Sequence, residues 1–178
     1  HGAWEAAIAN FYSPGDKVLI CETGAFSEWW KEMAGLFGLD AEYLQGDWRM
    51  GIDPDQLEER LKADKAHEIQ GIGVVHNETS TGLTNDVAAI RKAIDAAGHP
   101  ALLMVDTISS LGSMDFRMDE WGCDVVVGGS QKGLMQHAGL GMLGVSPKAI
   151  HRAEKATTPR RYWDVRRSMQ APIHMRNP

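Results

Sequence analysis

The chain has only two cysteines, Cys21 and Cys123, too few for a disulfide scaffold. Each sits at or beside an apolar run, the setting of a buried thiol in a reducing compartment. No apolar stretch approaches the roughly 20 residues of a membrane span, which excludes a transmembrane reading. Lysine and arginine form no block and the charge balance is acidic, 18 − 24 = −6, so there is no electrostatic footprint for nucleic acid. Arg160, Arg161, Arg166 and Arg167, beside Tyr162 and Trp163, are expected on a solvated surface. The seven histidines are scattered and neither cysteine lies in a Cys-x-x-Cys pair, so no metal site is expected. No Gly-x-Gly-x-x-Gly follows an early strand and no Walker loop occurs, which argues against nucleotide binding.

What is present is globular. The chain has 178 residues, 43% hydrophobic and 24% charged, enough for about one compact domain. It opens on His1-Gly2-Ala3-Trp4-Glu5-Ala6-Ala7, already a helical pattern. It has no initiator methionine and no signal-peptide architecture, and is expected to be a fragment of something longer.

Val18–Cys21 is an apolar run after the turn Ser13-Pro14-Gly15-Asp16, and predicts a strand. Ser27–Phe37 predicts a helix whose apolar face carries Trp30, Met33, Ala34 and Phe37. Ala41–Leu44 predicts a strand. Asp53-Pro54 opens a helix through Leu57 and Leu61, with Asp53 as N-cap. Ile69–Val75, Ala101–Val105 and Asp124–Val127 are continuous apolar runs, and the helical pattern Val87–Ala97 separates the first two. Strands buried on both faces and linked by helices imply parallel pairing. Leu140–Val145 adds one more strand. The fold class is α/β, with a mostly parallel sheet and helices on both faces.

In open α/β sheets ligands bind beyond the carboxyl ends of the strands. Three apolar runs end there in polar groups: His76–Thr81, Asp106–Ser110 and Ser130–Lys132. An aspartate at a strand end also caps turns, and a lysine there also serves as a solvated surface residue. Together, however, Asp106 and Lys132 are the two groups that pyridoxal phosphate requires. The carboxylate keeps the pyridinium nitrogen protonated, and the lysine forms a Schiff base and then moves protons. The helix start at Gly2-Ala3 offers free backbone N–H groups for a phosphate, or is an ordinary helix terminus. Phe26 supplies either a stacking surface or plain core packing.

His1-Gly2-Ala3-Trp4-Glu5-Ala6-Ala7, Pro14-Gly15-Asp16, His76-Asn77-Glu78-Thr79-Ser80-Thr81-Gly82, Val105-Asp106-Thr107-Ile108-Ser109-Ser110-Leu111-Gly112 and Gly129-Ser130-Gln131-Lys132 together carry a resemblance. From His1 to about Asp164 the chain resembles the class V aminotransferases of the fold-type I pyridoxal phosphate enzymes, in particular their serine–glyoxylate and alanine–glyoxylate members. The resemblance implies that Lys132 is the Schiff-base lysine and Asp106 the partner of the ring nitrogen. It implies that Phe26 stacks on the cofactor, Ile108 packs on the opposite face, and Thr79 and Gln131 make polar contacts. His1 and Gly2 would end a phosphate-binding loop. Gln131 cannot titrate, unlike the histidine that precedes the lysine in related cysteine desulfurases, so the pattern is that of a transaminase. His76 is expected to be structural.

The implied organisation is a cofactor-binding large domain over 1–164, incomplete at its N-terminus, and a tail over 165–178 without clear periodicity. The small C-terminal domain, with the arginine that grips the substrate carboxylate, would lie outside the chain. The implied reaction is a ping-pong transfer from serine or alanine to glyoxylate, that is, between an amino acid donor and a 2-oxo acid acceptor. The implied setting is a cytoplasmic homodimer, with a peroxisomal relative as the other possibility. Two other readings stay open. One is a pyridoxamine–pyruvate or aminoethylphosphonate aminotransferase; the other is a non-catalytic fragment that binds cofactor or a partner only.

Overall fold

The computed structural model describes residues 1–170. Helix α1 (Gly2–Phe11) leads to strand β1 (Lys17–Cys21), helix α2 (Ala25–Leu36) and strand β2 (Asp40–Leu44). Helix α3 (Pro54–Ala63) then leads to β3 (Ile69–Val75), a small hairpin of β4 (Asn77–Glu78) and β5 (Leu83–Thr84), and α4 (Val87–Ala96). Strands β6 (Leu102–Asp106), β7 (Val125–Gly129) and β8 (Gly141–Val145) follow, then α5 (Pro147–Ala153) and α6 (Val165–Gln170).

Six strands form one sheet in the order β2-β1-β3-β6-β7-β8. The first four pairings are parallel and only β7–β8 is antiparallel, as the expected α/β class requires. Every apolar run read as a strand is one, within two residues at either end. Strand β6 runs on to Asp106, which pairs with Val75 on one side and Val127 on the other. That pairing pulls a carboxylate into the last rung of a fully buried strand.

The chain leaves β1 toward β2, then crosses back to β3 and continues outward through β6 and β7. The direction of winding reverses between β1 and β3, which leaves a crevice at the carboxyl edge. One face of the sheet packs Leu57, Leu61, Val87, Ile90 and Ile94 from α3 and α4. The other packs Trp4, Ile8, Phe11, Trp30, Ala149 and Ala153 from α1, α2 and α5. Strand β3 has no side chain at Gly73, and a Cβ there would meet Ile20 Cδ1 at 2.6 Å and Trp30 Cε3 at 2.8 Å. The glycine lets Trp30 approach the strand closely.

Several local features set these boundaries. Asp53 caps α3 by accepting from Asp55 N at 3.0 Å, with Pro54 in the first turn. Asp86 caps α4 through Ala89 N at 2.9 Å. Helix α5 carries the same kind of signature, Ser146 followed by Pro147, which the sequence reading passed over.

The structure adds one element and corrects one expectation. The stretch after Asp164 lacks visible periodicity, yet 165–170 is helical: Asp164 accepts from the backbone N–H of Arg166, and its carbonyl from those of Arg167 and Ser168. Six residues are too few to display a helical period. The remainder of the expected tail, 171–178, lies outside the described residues. Arg160 is not a solvated surface residue. Its guanidinium donates to the carbonyls of Ala9, Ala153, Ala156 and Thr158 at 3.0–3.2 Å, tying the C-terminal segment to α1. Cys21 and Cys123 are buried free thiols, as expected.

Candidate active site

The carboxyl ends of β3, β6 and β7 stand side by side, so the three polar segments read from the sequence converge. A cavity of about 180 Å³ opens there. Seven of the eight candidate residues line it: His1, Phe26, Thr79, Asp106, Ile108, Gln131 and Lys132. The eighth, Gly2, lines an adjoining cleft that also touches His1, Ile108 and Gln131.

Asp106 is the most constrained of them, with 4% of its surface exposed. Its Oδ1 accepts from Ile108 N at 2.7 Å, and its Oδ2 accepts from Trp4 Nε1 at 3.0 Å. Burial pushes its carboxyl up to about 6 against the pull of those two bonds, and the Glu78 charge adds to the rise. The Asx-type bond to Ile108 N also fits a plain turn cap; the bond from Trp4 does not.

Phe26 sits in the first turn of α2, and its backbone position is set from below. The fully buried Glu78 carboxylate accepts from Phe26 N at 3.4 Å and Ser27 N at 3.3 Å, and from Ser80 Oγ at 2.6 Å. An anion at a helix N-terminus is favourably placed against the helix dipole. Gly24 admits this arrangement, since a Cβ there would lie 2.5 Å from Glu78 Cγ. The Phe26 ring meets Trp4 edge-on at 6.3 Å and Trp29 at 5.0 Å between centroids.

Thr79 shares a 2.6 Å hydroxyl–hydroxyl bond with Ser109, which joins the β3 and β6 loops at the cavity wall. Lys132 and Gln131 are exposed on the loop that follows β7. That loop is closed from within, where Ser130 Oγ donates to His137 O at 2.6 Å. Helix α1 begins at Gly2, and among the described residues no side chain caps its first amides. The free N–H groups of that first turn are an anion-binding feature.

His76 does not reach the cavity. It is buried against Phe116 and Trp121, with Nδ1 2.9 Å from Ser110 Oγ, and burial holds its imidazole below the ordinary value. It joins β3 to the loop after β6. Among the described residues, no group of three or more His, Cys, Asp or Glu could hold a metal ion, and no helix is long and apolar enough to cross a membrane.

A family model for aminotransferase class V matches residues 3–163. The chain belongs to the class V aminotransferases. It is 53% identical over 165 residues to the L-aspartate–glyoxylate aminotransferase of Paracoccus denitrificans, covering 93% of this chain and 42% of that protein. It is 54% identical over 153 residues to the serine–glyoxylate aminotransferase of Methylorubrum extorquens, covering 86% of this chain and 38% of that one. Its fold superimposes on the crystal structure of alanine–glyoxylate aminotransferase from Nostoc with a TM-score of 0.84 at 32% identity, covering 93% of this chain and 43% of that one. The chain thus spans about two fifths of the length of these relatives.

In this class V aminotransferase chain, the sequence reading missed Trp4, Trp29, Val75, Asn77 and Ser109 on the cavity wall, and Glu78 beneath it. Asn77 and Ser109 lie inside the polar segments already singled out. Trp4 carried a weaker signal, an aromatic in the first turn of a helix that follows a candidate anion-binding terminus.

Proposed function

We propose that the protein carrying this chain is a pyridoxal phosphate-dependent aminotransferase that moves an amino group from an amino acid to glyoxylate. The observation that carries the reading is the placement of Lys132 and the buried, hydrogen-bonded Asp106 on one cavity wall. The donor set fits the cofactor. Asp106 offers a carboxylate to a protonated ring nitrogen, Phe26 and Ile108 offer apolar faces, and Thr79 and Gln131 offer polar contacts. The uncapped first turn of α1 at His1 and Gly2 offers N–H groups to the phosphate. Residues 1–164 are read as the cofactor-binding large domain.

When bound, pyridoxal phosphate supplies an electrophilic aldehyde and an electron-withdrawing ring. Lys132 would hold the aldehyde carbon in the resting site and, when free, its Nζ would serve as the base and acid that moves the substrate Cα proton. Asp106 would accept the hydrogen bond of the protonated ring nitrogen. Phe26, Trp29 and Ile108 give the cavity an apolar wall. A ping-pong order belongs to this reading, because one cofactor would carry the amino group from donor to acceptor.

Glyoxylate as acceptor is supported by its appearance in the names of all three relatives above, whose donors differ. Serine is our first donor, with aspartate and alanine as its rivals. The homodimer and the cytoplasmic location follow from the family resemblance alone. The deciding experiment is borohydride reduction of the protein with pyridoxal phosphate, followed by peptide mass mapping. A cofactor adduct on Lys132, absent from Lys132→Ala, is the expected result. An adduct spread over surface lysines, or none, would refute the reading. Turnover of serine, aspartate and alanine with glyoxylate then ranks the donors.

A further inference from the structure

We propose that Trp4 is the positioning residue of the Asp106 carboxylate, aiming it at a cationic ring N–H of a ligand in the cavity. This rests on the cofactor reading above.

The geometry is specific. Asp106 Oδ1 is held by the backbone of Ile108, two residues away, while Oδ2 is held by an indole 102 residues away on another element. These are the two hydrogen bonds to that carboxylate among the described residues. A carboxylate with one donor per oxygen cannot turn about its Cβ–Cγ bond without losing one of them. Its remaining lone pairs therefore keep a fixed direction.

Packing alone does not account for the choice of residue. Trp4 is 3% exposed and stands edge-on to Trp30 at 5.8 Å and to Phe26 at 6.3 Å. Trp30, equally buried, has an indole N–H with no partner among the described residues. The cluster thus tolerates an indole whose nitrogen makes no bond, yet the nitrogen of Trp4 is directed at the carboxylate. A phenylalanine would fill most of the same volume.

The placement also links the two ends of a ligand. Helix α1 presents its uncapped first-turn amides next to the cavity and Trp4 from the same turn. One rigid element therefore sets the distance between an anion at the helix terminus and a cationic N–H at Asp106. Of the charged or titratable groups around it, the Glu78 charge disfavours ionisation of the carboxylate, and Lys132 and His1 line the same cavity.

The test uses the protein at its native length, with two substitutions at position 4. Trp4→Phe removes the donor. Benzothienylalanine at the same position keeps the bicyclic shape and removes only the N–H, so a folding defect in Trp4→Phe does not obscure the result. The first readout is the Asp106 titration in cofactor-free protein, followed by carboxyl carbon NMR. Both variants should raise its midpoint by about one pH unit, the effect of losing a hydrogen bond to the charged form. The second is the dissociation constant for pyridoxal phosphate at pH 7. It should rise about tenfold in either variant and by less than twofold when the change is made in an Asp106→Asn background, where the charge is already gone. An unmoved midpoint, or an equal loss of affinity with and without the carboxylate, would overturn the proposal and leave Trp4 a packing residue. If the wild type binds no pyridoxal phosphate, the cofactor reading itself fails; wild-type binding with indifferent variants overturns only the role of Trp4.

Discussion

Replacing Asp106 by asparagine removes a negative charge that the folded chain buries almost completely. Its carboxyl titrates at about 6 in the folded state, against 3.8 for the unperturbed group. Folding above that range therefore forces an ionised group into a site that favours the neutral one. The sign follows from the direction of the shift. The folded state binds the proton more tightly, so the penalty is absent below the unfolded value, grows between the two, and is fully present above the folded one. By linkage the cost is about 2 kcal/mol at pH 5 and about 3 kcal/mol at pH 8. Asparagine also sets an amide NH2 against one of the two donors, Trp4 Nε1 or Ile108 N, a loss that does not depend on pH. The slope is therefore the informative quantity. The stability of Asp106→Asn relative to wild type should rise by about 1 kcal/mol from pH 5 to pH 8, read from urea unfolding of cofactor-free protein at each pH. Parallel pH curves for the two proteins would refute the reasoning, since they would mean that the carboxyl is not destabilised by burial. Saturating pyridoxal phosphate should restore part of the wild-type stability and leave Asp106→Asn less affected.

Gly73→Ala should destabilise the chain by about 1–3 kcal/mol, because the new methyl would collide with Ile20 and Trp30 in a close-packed layer; an unchanged urea midpoint would show that this layer yields. Burial pushes the Cys21 and Cys123 thiols up to about 12. Neither should react with a disulfide reagent at pH 8 until the protein is unfolded, and thiol counting in buffer and in denaturant checks this.

Much of the fold was legible because its determinants are local. Ile69–Val75 and Leu102–Val105 are buried on both faces, and a strand of that kind leaves a continuous apolar run. Asp53-Pro54 and the α4 pattern mark helices through caps and periodicity that act over a few residues. Ser146-Pro147 carries the same signal at the start of α5, whereas the helix from Val165 is too short to show a period. The site was partly legible for a related reason. A parallel strand buried along its length must put its polar groups at its end, so Asp106, His76–Thr81 and Ser130–Lys132 stand out wherever the sheet order later places them.

The tertiary structure alone decided which strand ends are neighbours. β3 borders β1 because the chain crosses back over β1 after β2, which sets Phe26, following β1, beside the end of β3, and no local pattern encodes that crossing. It also decided what the conspicuous residues touch. Trp4 meets Asp106 across 102 residues, Phe26 N meets Glu78 across 52, and Arg160 reaches the carbonyl of Ala9 across 151. Contacts of such separation depend on the direction of a side chain once two elements have docked. The amino-acid sequence determined the elements, their order and the chemistry at their ends. Docking determined which of those groups became buried, and burial is what makes Asp106 a carboxylate with a raised affinity for a proton and a fixed orientation.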